Sequence, residues 1–286
     1  MTDSLSSVVC GTDLSQGADE AIAQAAALAA AHRARLTFVH ALPLGYGGAS
    51  EVFLTLPEPN VARERLRSQA VDNVRAQVDR VTSISDADIE VRFDDVSAYA
   101  SIIACAEARR ADLIVVGSRG ATGLKRMVLG SVADGVVRHA SCPVLVARPS
   151  PATGHVVAAT DLSDPSFLAI TAASWEARRR KAKLTVVHCI EQLVPEGPGS
   201  RGARAREAEA RLRQILEELG VIADVVVTEG TARTAVPDIA EHLPAELVVV
   251  GARGRTGLKQ VLLGSVAESI GRHAGCSVLT VRLDPG

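Results

Sequence analysis

The sequence predicts two tandem doubly wound α/β domains, each a five-stranded parallel sheet of order 3-2-1-4-5 covered by helices. Three observations predict it. Short Val/Ile/Leu-rich runs alternate with longer Ala-rich segments, the pattern of parallel strands joined by crossover helices. That alternation occurs twice, at a period near 140 residues, which marks a duplicated domain and not a solenoid. Finally, 47% of the 286 residues are hydrophobic and only 2% aromatic, so aliphatic side chains must build the core.

In the first copy, strands are expected at 7–12, 35–40, 88–93, 112–117 and 143–148. They are apolar on both faces, as strands sandwiched between helices are. Helices are expected between them at 16–33, 61–82, 97–110 and 131–140. The second copy repeats the text. "VVCGTDLSQGADEAIAQAAALA" (8–29) corresponds to "VVAATDLSDPSFLAITAASWEA" (156–177), and "LTFVHA" (36–41) to "LTVVHC" (184–189). "ADLIVVG" (111–117) corresponds to "AELVVVG" (245–251), and "VADGVVRHASCPVLVAR" (132–148) to "VAESIGRHAGCSVLTVR" (266–282). The offset falls from 148 residues to 134, because copy one carries a longer stretch at 41–60. The junction lies in "RPSPATG" (148–154), giving domains 1–148 and 149–286. Within copy two, "ARAREAEARLRQILEELG" (203–220) is expected to be a helix closed by Gly220.

The net charge of −2 offers no footprint for nucleic acid or an anionic membrane, and no apolar run is long enough to span a bilayer. Five cysteines, none in a Cys-x-x-Cys pair, suit a soluble, reduced, cytoplasmic protein, and they read as small buried hydrophobes.

The functional signal is a fifteen-residue stretch. "GSRGATGLKRMVLGS" (117–131) and "GARGRTGLKQVLLGS" (251–265) agree at ten positions. Each starts at the end of the fourth strand and finishes at the start of a helix. Glycine admits positive φ and close approach of main chain to a ligand. A helix N-terminus offers unpaired N–H groups and the positive end of the dipole, a natural anion site. In a doubly wound sheet ligands sit beyond the carboxyl ends of the strands where the order reverses, here between strands 1 and 4. Those ends carry Asp13 and Gly117 in copy one, Asp161 and Gly251 in copy two.

Several side chains have two readings. Ser131-Val-Ala-Asp134 and Ser265-Val-Ala-Glu268 fit capping boxes, so each serine either caps its helix or meets a phosphate. Arg119 and Arg253 either reach a phosphate or stand in solvent, and Lys125 and Lys259 favour solvent. His40 and His188 are polar strand ends that either support the fold or approach a ligand. His139 with Cys142, and His273 with Cys276, supply only two ligands per copy, too few for a structural metal.

The pattern Gly-x2-Gly-x9-Gly-Ser after a fourth strand, with Asp just beyond the first, resembles the nucleotide-binding signature of the universal stress protein family. The resemblance covers about residues 5–148 and 154–282. It implies ATP, AMP or ADP in each copy, with or without magnesium. Thr12 and Asp13, like Thr160 and Asp161, would take the adenine or ribose side, bordered by the main chain around Ala41 and Cys189. Gly117, Arg119, Gly120, Gly130, Ser131 and Val132 would hold ribose and phosphates. Gly251, Arg253, Gly254, Gly264, Ser265 and Val266 would do so in copy two. Leu14 and Leu162 stand where the family often has glycine after the aspartate, and Gly230, which the family commonly places before the third helix, has no counterpart in "FDDVSAYA" (93–100). The resemblance also implies pairing of the two copies through their apolar fifth strands as a pseudo-dimer, and a homodimer of chains.

Enzyme readings find little support. There is no Gly-x4-Gly-Lys-[Ser/Thr] loop, no Gly-x-Gly-x-x-Gly after a first strand, and no Ser-Gly-Gly-x-Asp-Ser loop of the ATP-pyrophosphatase type. No general base is evident at the phosphate end. Together with what the resemblance implies, this points to a non-enzymatic or barely catalytic stress-response regulator that holds adenine nucleotide. Slow ATP hydrolysis, autophosphorylation at Ser131 or Ser265, or a scaffold with vestigial sites are the alternatives.

Overall fold

A computed structural model describes residues 4–43, 59–94, 97–119, 129–150, 153–191, 198–252 and 263–282. The chain divides into two compact units, Thr2–Ala147 and Arg148–Gly286. The stretch 44–58 and the middles of both glycine loops lie outside the described residues, and with them Gly120, Lys125, Arg253, Gly254 and Lys259.

The first unit runs β1 (Ser7–Gly11), a 3-10 turn (Gln16–Ala18), α1 (Asp19–His32), β2 (Arg35–Pro43), α2 (Pro59–Val81), β3 (Asp88–Asp94), α3 (Ala98–Ala108), β4 (Leu113–Gly117), α4 (Ser131–His139) and β5 (Val144–Ala147). The second runs β6 (His155–Thr160), α5 (Asp164–Arg180), β7 (Lys183–Ile190), α6 (Pro198–Glu218), β8 (Asp224–Glu229), α7 (Ala232–His242), β9 (Leu247–Gly251), α8 (Ser265–His273) and β10 (Ser277–Val281). All strand pairs within each unit are parallel. The order is β3-β2-β1-β4-β5 in one and β8-β7-β6-β9-β10 in the other, the predicted 3-2-1-4-5 in both. Register is copied with it: Val9 pairs with Thr37 and Ile114, and Val157 with Thr185 and Val248.

Core and helix faces follow from residue size. β1 and β4 bury Val8, Val9, Cys10, Leu113, Ile114 and Val115, and α1 lays Ala21, Ala25 and Ala29 on them. Alanine lets the helix approach the sheet closely, and each fully buried Val, Leu or Ile contributes about 1.5–3 kcal/mol. Gly220 has φ +63, and Val221 N–H donates to the Leu216 carbonyl at 2.9 Å, the left-handed C-terminal stop expected for α6. β2 continues past its expected end at 40 to Pro43 because β3 pairs with it through Asp94.

The cysteines are free thiols, three of them buried and Cys142 and Cys189 half-buried. Burial pushes the Cys105 thiol up to about 12 and those of Cys189 and Cys276 up to about 11, which suits packing and not nucleophilic chemistry. His139 and His273 bond back to the carbonyls of Gly135 and Ser269 in their own helices. Among the described residues no group of three potential metal ligands occurs, and no helix is long and apolar enough to cross a membrane.

Candidate nucleotide site

At the carboxyl ends of β1 and β4 the first unit has a cavity of about 280 Å³. Small-molecule clefts start at roughly 300 Å³, so it lies at the small end of that range. Its lining includes Thr12, Asp13, Ala41, Gly117, Arg119, Gly130, Ser131 and Val132, every described residue that the sequence assigned to this site. The structure adds Gly11, Ala18, Val39, Ala98, Ile102, Val116 and Ala133. Those give the cavity an apolar floor, with Asp13, Arg119 and Ser131 supplying the polar groups. Ala98 and Ile102 come from the first turns of α3, which hold no glycine or charged residue to signal such a role.

The turn after β1 is held tightly. Thr12 N–H donates to the Val39 carbonyl at 3.0 Å, and His40 Nδ1 lies 2.8 Å from the Thr12 carbonyl oxygen. His40 is thus spent on the fold, and His188 repeats the contact to Thr160 at 2.9 Å. Leu14 N–H donates to Thr12 Oγ1 at 3.1 Å, and Ser15 N–H and Oγ donate to Asp13 Oδ1 at 3.1 and 2.5 Å. Asp161 receives the same pair of bonds from Ser163. Leu14 at φ 65 and Leu162 at φ 62 hold the left-handed geometry that explains why glycine is usual there. The hydroxyls of Thr12 and Thr160 are engaged too, with Gln77 of α2 and with Ser166, so both threonines serve mainly to hold the turn.

The glycine loops are closed at their necks. Gly130 N–H donates to the Ser118 carbonyl at 2.9 Å, and Gly264 N–H to the Ala252 carbonyl at 2.7 Å. Gly130 and Gly264 are the N-caps of α4 and α8, at φ −61 and −70, so the serines are first helical residues and not the caps. That overturns the capping-box alternative: the serine sits one place too late to reach an N3 amide, and Ser131 and Ser265 remain exposed. The four described loop glycines also avoid positive φ. Gly117 answers a different demand, since a Cβ there would lie 2.7 Å from the Gly17 carbonyl oxygen. The turn after β1 and the end of β4 touch backbone to backbone.

In the second unit the ends of β6, β7 and β9 carry Thr160, Asp161, Cys189 and Gly251, and α8 opens with Ser265 and Val266. Asp161, Cys189, Gly251 and Val266 are half-buried.

The universal stress protein family matches residues 5–148 and again 153–282. The chain belongs to the universal stress protein family. It is a tandem member, with one family domain in each half. The universal stress protein Rv2623 of Mycobacterium tuberculosis is 31% identical over 296 residues, covering 96% of each chain. The universal stress protein Mb2028c of Mycobacterium bovis is 37% identical over 186 residues, 60% of this chain and 62% of that protein, so this chain matches less than two thirds of its length. A crystal structure of a universal stress protein from Archaeoglobus fulgidus shares the fold at TM-score 0.66 and 21% identity, covering 96% of this chain and 98% of its own.

Proposed function

We propose that each family domain holds an adenine nucleotide (ATP, AMP or ADP) and that occupancy, not turnover, is the output of this stress-response protein. The single observation that carries the reading is the cavity between β1 and β4, lined by the described residues of the motif. The cavity's chemistry fits such a ligand. Its apolar floor suits a base, Asp13 can accept from the base or ribose, and the α4 N-terminus with Arg119 can meet phosphates. The contact between Gly17 and Gly117 leaves no Cβ on either side of that approach. In the first unit Asp13, Ala41, Gly117, Gly120, Gly130 and Val132 would contact the ligand, with Asp161, Cys189, Gly251, Gly254, Gly264 and Val266 in the second. A magnesium ion would come with the phosphates, because no acidic or imidazole cluster among the described residues would hold it.

A second reading has one observation in its favour. Ser131 and Ser265 are exposed at helix N-termini and are not the N-caps, so slow phosphoryl transfer to a serine hydroxyl is chemically open. Phosphopeptide mass spectrometry after incubation with ATP separates the two, since pure binding leaves both serines unmodified. A cytoplasmic role, a homodimer and pairing of the halves through the apolar fifth strands belong to the same proposal. Size-exclusion chromatography with light scattering reads the mass. Equilibrium dialysis against millimolar ATP and AMP tests the core of it: saturable binding supports the reading, and no retention of either nucleotide refutes it.

A further inference from the structure

Gln77 lies on the buried face of α2, 5% exposed, beside buried Val74 and Val78. On α6 the buried triplet with the same spacing is Leu212, Ile215 and Leu216, so isoleucine takes the place that glutamine has on α2. A buried amide is costly unless it is fully bonded. The bonds of Gln77 go to Thr12 and Ser15 of the turn after β1 and to Asp19, the first residue of α1. Its Oε1 accepts from Thr12 Oγ1 at 2.7 Å, and its Nε2 donates to the Ser15 carbonyl at 2.9 Å and to Asp19 Oδ1 at 2.8 Å. Arg80, nearly one turn along α2, grips the same Asp19 carboxylate at 2.8 and 2.9 Å.

In the second unit the corresponding threonine hydroxyl is held close by in the chain, by Ser166 at the start of α5. Thr160 Oγ1 meets Ser166 Oγ at 2.7 Å, and Ser166 Oγ donates to the Ser163 carbonyl at 2.7 Å. The counterpart of Ser166 in the first unit is Ala18, which has no hydroxyl, and the counterpart of Asp19 is Phe167. The two copies have exchanged devices. One pairs Gln77 with Ala18, the other Ile215 with Ser166.

We propose that Gln77 is a positioning residue that makes the aspartate turn of the first site an extension of α2, whereas in the second site Ser166, at the start of α5, takes over the bond to the threonine hydroxyl. The inference builds on the nucleotide reading above. The turn contains Leu14 at φ 65, a conformation that persists only where its surroundings hold it. In the first unit those surroundings are another helix, so a displacement of α2 carries Thr12, Ser15 and Asp19 with it, and Asp13 lies among them. Nucleotide affinity at the first site therefore follows the position of α2 through Gln77, a tie that the second site, with Ile215 in that place, does not have.

Hydrogen–deuterium exchange on the full chain tests this, read on peptides covering 12–19 and 160–167. The chains compared are the wild type, Gln77→Leu, and the double variant Gln77→Ile with Ala18→Ser, which imports the second unit's device. Gln77→Leu should speed exchange across 12–19 by about tenfold, the weight of one or two buried hydrogen bonds, and leave 160–167 unchanged. The ATP concentration that half-protects 12–19 should rise by about the same factor, with no change at 160–167. The double variant should recover most of both losses. Unchanged exchange across 12–19 in Gln77→Leu overturns the proposal. Should Gln77→Leu not fold, the double variant decides: a protected turn supports the exchange of devices, and an unprotected one overturns it. If ATP protects neither turn in the wild type, the nucleotide reading falls, while the tie to α2 is still judged by exchange in the unliganded chain.

Discussion

Replacing Gly117 by alanine probes the contact on which the first site is built. The new Cβ would lie 2.7 Å from the Gly17 carbonyl oxygen and 3.4 Å from that of Arg119, and a Cβ on Gly17 would likewise lie 2.7 Å from the Arg119 oxygen. The closest obstacles are main-chain atoms, so no rotamer change relieves the overlap. The turn after β1 must back away from the end of β4 by about half an ångström or more, and overpacking of this kind costs about 1–3 kcal/mol. Alanine's lower freedom in the unfolded chain returns about 0.4–1 kcal/mol, leaving a net loss of about 1–2 kcal/mol. For a unit of this size that lowers the melting temperature by about 3–8 °C. The same displacement separates Asp13 from the α4 N-terminus, so ATP affinity at the first site should fall by about tenfold. Circular-dichroism melts and calorimetric ATP titration read the two effects. A variant that melts and binds like the wild type would show that the backbone contact does not shape the site.

Three further substitutions test other parts of the account. Gly230→Ala should lose about 1–2 kcal/mol in urea titration, for conformational reasons alone: Gly230 has φ +122 and nothing lies within 4 Å of its added Cβ. Gly271→Ala should instead gain about 0.5–1 kcal/mol, because it sits inside α8 with open space around the new methyl. Glu176→Gln should destabilise the second unit by roughly 1–3 kcal/mol at neutral pH. Burial pushes the Glu176 carboxyl up, but Arg179 at 2.7 Å and Arg180 at 3.0 Å outweigh it and hold it below the usual carboxylate range. A depressed folded value means this stabilisation is complete above about pH 5 and is lost as pH falls through that value. The gap in melting temperature between wild type and variant should therefore be widest near neutrality and close in acid. A gap that widens in acid would reverse the assigned sign.

The fold was legible because its signals are local and repeated. Strands buried on both faces, Ala-rich helices between them and the Gly220 stop each follow from one stretch of chain, and the second copy supplied a check. The described residues of the candidate site were legible for a related reason: Asp13, Gly117 and Ser131 stand at element ends, which sequence locates well. What sequence could not show depends on packing between distant segments. Gln77 is a glutamine on a largely polar helix and reads as solvated until Thr12 and Asp19 are brought against it. Leu14 and Leu162 gave no sign of left-handed backbone beyond the missing glycine. Ser131 fitted a capping box by spacing, and only the backbone of Gly130 shows that the helix starts one residue too early for it. Ala98 and Ile102 reach the cavity because α3 crosses above β1, a consequence of topology and not of any motif.

Native mass spectrometry of the full chain, sprayed with micromolar to millimolar ATP and with inorganic triphosphate as control, tests the central claim most directly. The account predicts two mass increments of an adenine nucleotide per chain, one of them weakened in Gly117→Ala. A spectrum with ATP that adds no more mass than the triphosphate control would contradict it.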